Sequence, residues 1–247
     1  MISEEAIENL LNDVADVWET NQLREGLTFN RITIDGEFFP SVSHEKMLKH
    51  SVQDRMKIRS NSNFTLGDFH KASGPARAIF ENQKIRDLCS LVLDGEVEPR
   101  ASLFFDKGSE QEIHQDTAVF HVYPINSFIG VWIALEDIHL DSGPLVYYPG
   151  SHKEPIWKEF VDYPQTNLRT FPLARFPEYY SYLHELKKKY PQKHAILKKG
   201  SALLWHGMLI HGGSPVNNKA LTRKSLVVHV MGKDTDCHAK VVGPTNW

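Results

Sequence analysis

Apolar residues recur at helical spacing near the start of the chain. Ile7, Leu10, Leu11, Val14 and Trp18 share one face of residues 3–20, and Ser3 is placed to cap the first turn. The spacing predicts an amphipathic helix that needs a surface to cover, a buttress and not a site. Residues 30–34 read as a strand, closed by the turn signal Asp35-Gly36. Residues 41–72 are polar and rich in His, Ser and Asn, and predict loop with short helix. A second helical stretch is expected over 75–93, with Ile85, Leu88, Cys89 and Val92 on one face.

After Gly95 the period changes. Short β-type runs follow one another at 101–105, 113–120, 128–135, 145–148, 201–205, 208–211 and 225–231, with turn residues such as Asp141-Ser142-Gly143-Pro144 between them. The pattern predicts a mainly β protein with flanking helices, for which a jelly-roll double sheet is a natural solution. Residues 152–195 break the pattern with aromatics (Trp157, Phe160, Tyr163, Phe171, Phe176, Tyr179, Tyr180, Tyr182) among prolines and charges. A helix is expected over 177–190, Pro177 near its start and Pro191 just past its end. Such a long insertion in a β domain is a candidate lid, taken over 163–190. Phe171, Phe176, Tyr179 and Tyr180 then either line a pocket or pack the insertion onto the core. The expected organisation is one domain over 1–247: a helical N-terminal support over 1–95, then a core over 96–235 with the insertion at about 153–195.

Composition narrows the function classes. The 247 residues are 41% hydrophobic and 24% charged, an ordinary globular balance. Twenty-eight Lys and Arg against 31 acidic residues give a net charge of −3, without the basic surplus of a nucleic-acid binder. The run Lys187-Lys188-Lys189 sits at an expected helix end, where it complements the helix dipole. Two distant cysteines, Cys89 and Cys237, make a disulfide scaffold unlike this chain and favour a reducing compartment. The first residues, Met1-Ile2-Ser3-Glu4-Glu5, do not resemble a signal peptide, and no apolar run is long enough for a membrane span. The expectation is a cytoplasmic protein, monomer or homodimer, acting on a small molecule, with neither nucleic acid nor membrane as partner.

The chemistry concentrates in three places. In Ile113-His114-Gln115-Asp116, a strand puts His114 and Asp116 on one face and Gln115 on the other, so an imidazole and a carboxylate can grip a divalent metal. Alone, a His-x-Asp triplet is common by chance. A facial triad needs a second histidine and leaves three coordination positions open. His206 and His211 are both candidates, and strand parity does not choose between them because Gly207 lies between. In Thr222-Arg223-Lys224-Ser225, Arg223 and Ser225 share a face, and a guanidinium fork suits a carboxylate. An edge-strand arginine in solvent is the alternative.

Taken in order, these pieces resemble the phytanoyl-CoA dioxygenase family of Fe(II)/2-oxoglutarate oxygenases. The resemblance runs from about 102 to 230. It rests on Ile113-His114-Gln115-Asp116, Val131-Trp132-Ile133-Ala134-Leu135-Glu136-Asp137, the segment from Gly143 to His152, and Leu209-Ile210-His211-Gly212-Gly213-Ser214 with Arg223-Lys224-Ser225. It implies a double-stranded β-helix (jelly-roll, cupin-like) core, with Fe(II) held by His114, Asp116 and His211 and His206 left beside the site. It implies that 2-oxoglutarate is held by Arg223 and Ser225 beside Trp132, and that O2 is consumed. The implied reaction hydroxylates an unactivated C–H bond and releases succinate and CO2. His152 is read as structural, in a loop; His229 shares a face with Arg223 and could touch the site, with a core histidine the favoured reading. Asp116 stands where halogenating relatives of the wider superfamily carry a small residue, which fits hydroxylation. Two other readings are carried: a non-catalytic jelly-roll metal-binding module, and a zinc hydrolase, against which the absence of a His-Glu-x-x-His helix counts.

Overall fold

The computed structural model describes residues 2–237. Met1, residues 238–247 and the side chains of Asp236 and Cys237 lie outside the described residues, so the domain expected over 1–247 and the reading of the first residues reach past them. Helix α1 (Glu4–Glu19) starts where Ser3 Oγ accepts from the Ala6 N–H at 3.2 Å. Its stripe Ile7, Leu10, Val14, Val17 and Trp18 is buried, and the Trp18 ring meets Phe29 and Phe64 edge-on at 4.6 and 4.8 Å.

Strands β1 (Thr28–Ile34) and β2 (Glu37–Ser43) form a hairpin. Asp35 and Gly36 at its tip have φ of 50° and 85°, the left-handed pair that matches the twist of the strands. Helices α2 (His44–Met47) and α3 (Val52–Asn61), strand β3 (Thr65–Gly67) and helices α4 (Phe69–Ala72), α5 (Gly74–Phe80) and α6 (Gln83–Leu93) follow. The support expected as helical over 1–95 is therefore mixed, since β1, β2 and β3 all join the main sheet. β3 was hidden because its three residues carry one large apolar side chain, Leu66. The helix expected over 75–93 breaks in two at Asn82, whose side chain caps α6 by accepting from Lys84 N–H at 3.2 Å. Ile85 and Cys89 of α6 are buried while Leu88 and Val92 are exposed, so the sheet covers a narrower stripe than the apolar residues offer.

The remaining strands are β4 (Val97–Phe105), β5 (Val122–Tyr123), β6 (Phe128–Ala134), β7 (Leu145–Tyr147), β8 (Lys193–His194), β9 (Ala202–His206), β10 (His211–Gly213), β11 (Ser225–Gly232) and β12 (Asp236–Cys237). Helix α7 (Asp116–Phe120) lies between β4 and β5, and α8 (Phe176–Leu186) within the insertion. A seven-stranded sheet runs β2-β1-β3-β4-β11-β6-β9, and a three-stranded sheet runs β10-β7-β8. Alternation assigns the faces. Leu226, Val228 and Val230 of β11, with Ile129, Val131 and Ile133 of β6, share one cluster with α1. Trp132, Ala134 and Val227 point the other way and meet Leu145 of the small sheet. Both faces are covered, which is why β6 and β11 read as nearly continuous apolar runs.

The small sheet is also covered on both sides. Leu145 and Tyr147 pack toward the large sheet, while Val146 and Tyr148 join Trp157, Phe160, Phe171 and Tyr179 of the insertion. Phe171 and Tyr179 are thus packing residues, and Phe176 and Tyr180 pack at the margin of the same cluster. The insertion covers the outer face of the small sheet with a core of its own. The order of layers is helices, large sheet, interior, small sheet, insertion.

Candidate metal centre

The segment expected as a strand over 113–120 is extended only at its start. His114 pairs with His211 in a two-way backbone bridge, His114 N–H to His211 O at 2.8 Å and His211 N–H to His114 O at 3.1 Å. This pairing brings the two distant histidines side by side, with ring centroids 4.4 Å apart. Residues 116–120 then turn into α7, which is anchored by the Thr117 N–H to Gly207 O at 3.0 Å. Tertiary contacts overrode the β-type residues there.

Gln115 points away from its neighbours, as the alternation expects. Its amide donates to Met208 O at 2.8 Å and accepts from Tyr179 OH at 3.4 Å, so it fastens the segment to the chain before His211 and to the insertion. Tyr163 of the insertion adds its hydroxyl to the carbonyls of Thr117 and Val122 at 3.1 and 2.8 Å.

Asp116 opens α7, and its Oδ1 lies 3.5 Å from His114 Nε2 and 3.6 Å from His211 Nε2. Donor atoms of His114, Asp116 and His211 all fall within 4.8 Å of one another, and the three residues are only 6, 3 and 4% exposed. The other ring nitrogens fix the tautomers. His114 Nδ1 donates to Glu112 O at 2.8 Å and His211 Nδ1 to Leu209 O at 2.9 Å. Carbonyls only accept, so both Nδ1 atoms carry hydrogen and both Nε2 lone pairs turn toward the carboxylate. Burial pushes the His211 imidazole down to about 4, with Asp116 acting against it, so the ring is neutral at pH 7. Burial works against ionisation of Asp116. The imidazoles that surround it, His211 and His229 foremost, outweigh it and hold the carboxyl well below its usual range. Two imidazoles, each with Nδ1 committed to a carbonyl, and one carboxylate in a buried site suit a divalent cation.

A second group sits on the same interior. Arg223 is 3% exposed, and Ser225 on β11 is fully buried. The guanidinium donates from Nη1 to Ser225 Oγ at 3.2 Å and from Nη2 to Lys107 O at 3.3 Å, and Nε has no partner among the described residues. The rings of Phe105 and Trp132 flank it at 5.3 and 5.7 Å, and the buried Trp132 Nε1 likewise has no acceptor among the described residues. Burial pushes Arg223 down to about 10, with Glu136 opposing, so it stays charged at neutral pH. A buried cation with donors to spare and, among the described residues, no hydrogen bond to a carboxylate fits an anionic ligand.

His206 ends β9 outside this cluster. Its Nδ1 accepts from Met208 N–H at 3.0 Å, and its ring lies 5.7 Å from His152. Ser151, beside His152, ties the loop to the ligand segment by accepting from Ile210 N–H at 2.9 Å. Residues 207–210 form a turn where a strand was expected over 208–211, so parity along that run could not separate His206 from His211. Sequence reading missed Trp205, whose Nε1 donates to Asp116 Oδ2 at 2.8 Å, and left His229 to the core, although its Nε2 lies 3.5 Å from the same oxygen. One signal for Trp205 was available: an isolated Gly130 inside an apolar strand marks a close approach.

Comparison with known proteins points to one family. The family model "Phytanoyl-CoA dioxygenase (PhyH)" matches residues 1–225. The chain is 30% identical over 178 residues to phytanoyl-CoA dioxygenase domain-containing protein 1 of Danio rerio, covering 69% of this chain and 56% of that one. It is 32% identical over 132 residues to the peroxisomal phytanoyl-CoA dioxygenase of Bos taurus, covering 53% and 36%. The chain thus spans about half the length, or less, of these curated relatives. Among solved structures, EctD from S. alaskensis with 2-oxoglutarate and 5-hydroxyectoine superposes with a TM-score of 0.59 at 14% identity, over 94% of this chain and 70% of that one. This likeness carries the fold: mainly β with flanking helices, of the non-haem oxygenase type. No described helix is long and apolar enough to cross a membrane. The cytoplasmic expectation is corrected, because matched relatives from cattle, mouse and rat are peroxisomal by name, and low cysteine usage does not identify one compartment. With its family model matched over nearly the whole length, the chain belongs to the phytanoyl-CoA dioxygenase family.

Proposed function

We propose that this protein is an Fe(II)- and 2-oxoglutarate-dependent dioxygenase that hydroxylates an unactivated C–H bond of a small molecule and releases succinate and CO2. The observation that carries the reading is the convergence of His114 Nε2, His211 Nε2 and Asp116 Oδ1, with both imidazole tautomers set by backbone carbonyls. When bound, ferrous iron with 2-oxoglutarate and O2 supplies the oxidative decarboxylation that drives C–H hydroxylation.

The chain's own residues do the rest. His114, His211 and Asp116 offer two neutral donors and one anion from one side, leaving the remaining positions to exogenous ligands. Arg223 offers its fork to the far carboxylate of the keto acid. Ser225 holds that fork by accepting from Nη1, which leaves its own hydroxyl hydrogen for the same carboxylate. Phe105 and Trp132 keep the guanidinium between rings and away from water, where charge pairing is stronger. The two sheets share one interior cluster, which supports a double-stranded β-helix (jelly-roll, cupin-like) core over 96–235, supported by 1–95 and covered by the insertion at 153–195.

A screen of small molecules for Fe(II)-dependent succinate release tests this, run beside Asp116→Ala. Release by the native protein and none by the variant is expected. Tight Fe(II) binding with no succinate formed under any condition would favour a non-catalytic metal-binding module instead.

A further inference from the structure

One row of residues crosses three adjacent strands directly beneath Asp116. Gly130 on β6 is the register partner of Trp205 on β9 and of His229 on β11. The middle position has no side chain, and the indole of Trp205 fills the space. A Cβ at Gly130 would stand 2.2 Å from Trp205 Cε2 and 2.7 Å from its Nε1. Lying over the glycine, the indole delivers its N–H to Asp116 Oδ2 at 2.8 Å. His229 approaches the same oxygen from the other side, its Nε2 at 3.5 Å. The His229 ring is stacked on Phe128 at 5.5 Å and 10°, and Phe120 lies 4.5 Å away. Its buried Nδ1 has no partner among the described residues, so the carboxylate is the polar contact that orients this imidazole.

The two oxygens of Asp116 are therefore divided. Oδ2 takes protein donors, while Oδ1 is the oxygen 3.5 and 3.6 Å from the Nε2 atoms of His114 and His211. We infer that Trp205, Gly130 and His229 form a cross-strand clamp that holds Asp116 as a one-oxygen metal ligand. The inference rests on the iron-site reading above. Rotation of the carboxylate to grip a metal through both oxygens would break the indole hydrogen bond. At 3% exposure there is no solvent to replace it. A two-oxygen grip would also occupy a coordination position that the keto acid needs. Trp205 and His229 are positioning residues, and Gly130 is the space that makes their convergence possible.

The test uses anaerobic titration of the full-length protein with Co(II) and Fe(II), read by affinity and by the visible spectrum of the Co(II) form. Trp205→Phe keeps a ring over Gly130 and removes the N–H. It is expected to weaken metal binding about tenfold or more and to alter the Co(II) spectrum, with the melting temperature of the metal-free protein little changed. Gly130→Ala keeps every donor but displaces the indole, and is expected to give the same loss. His229→Phe removes the second donor, with a smaller loss of about threefold, and reads the same oxygen should either other variant not fold. Affinity within twofold of the native protein and an unchanged spectrum in the folded variants would overturn the clamp while leaving the iron site intact. Native protein that bound neither metal would instead sink the iron-site reading itself.

Discussion

Arg223 is held by one serine, one carbonyl and two aromatic faces, and none of these contacts is made by His114, Asp116 or His211. Arg223→Ala is therefore expected to raise the 2-oxoglutarate concentration needed for half-maximal succinate release by about tenfold or more, while Fe(II) affinity changes little. A parallel loss of iron binding would contradict that separation. His211→Ala should abolish metal binding, whereas His206→Ala should leave it, as measured by anaerobic Fe(II) titration. At this scale the site was partly legible. His114 and Asp116 stood in a spacing that shares a face. The choice of His211 needed the family resemblance, because the turn at 207–210 destroys parity. Trp205 was not legible from its own segment, since its role depends on the gap at Gly130 on the neighbouring strand β6, far away along the chain. Burial pushes the Cys89 thiol from 9.0 up to about 11. The folded protein thus keeps a proton that the unfolded chain loses between those values, and stability is expected to fall as pH rises from 9 to 11. Denaturant midpoints across that window, beside Cys89→Ala, check the sign: the variant should show a shallower fall.

Among the elements, α1 is the clearest case of pattern becoming structure. Its stripe was evident from spacing, and the sheet buries it completely at Leu10 and Trp18. Leu10→Ala is expected to cost about 2–5 kcal/mol of unfolding free energy without changing metal affinity. A loss under about 1 kcal/mol would mean that α1 is not the buttress described here. Elements misread from the sequence failed for physical reasons. α7 carries β-type residues but is fixed by backbone bonds to Gly207 and Leu168, which lie far along the chain. β3 is too short for alternation to register. The insertion announced itself by its aromatics, but their destination was open, and Tyr179 turns out to meet Gln115 behind the histidine bridge.

In the whole molecule one interior lies between two sheets, each covered on its far face, by helices on one side and by the aromatic insertion on the other. The mainly β class with flanking helices was readable from the change of period after Gly95. Of the strands in the first 95 residues, β1 was readable from 30–34 and the turn after it; β2 and β3 were not, and β3 joins the main sheet through β4, which lies beyond it in sequence. Whether this interior binds a chelated ferrous ion is the claim on which the rest depends. The most direct measurement is an anaerobic titration of the native protein with Fe(II) and then 2-oxoglutarate, followed by visible absorption. The expected result is a metal-to-ligand charge-transfer band that appears only when both are present, is absent in Asp116→Ala, and needs more 2-oxoglutarate in Arg223→Ala. Absence of the band in the native protein at saturating metal and keto acid would contradict it.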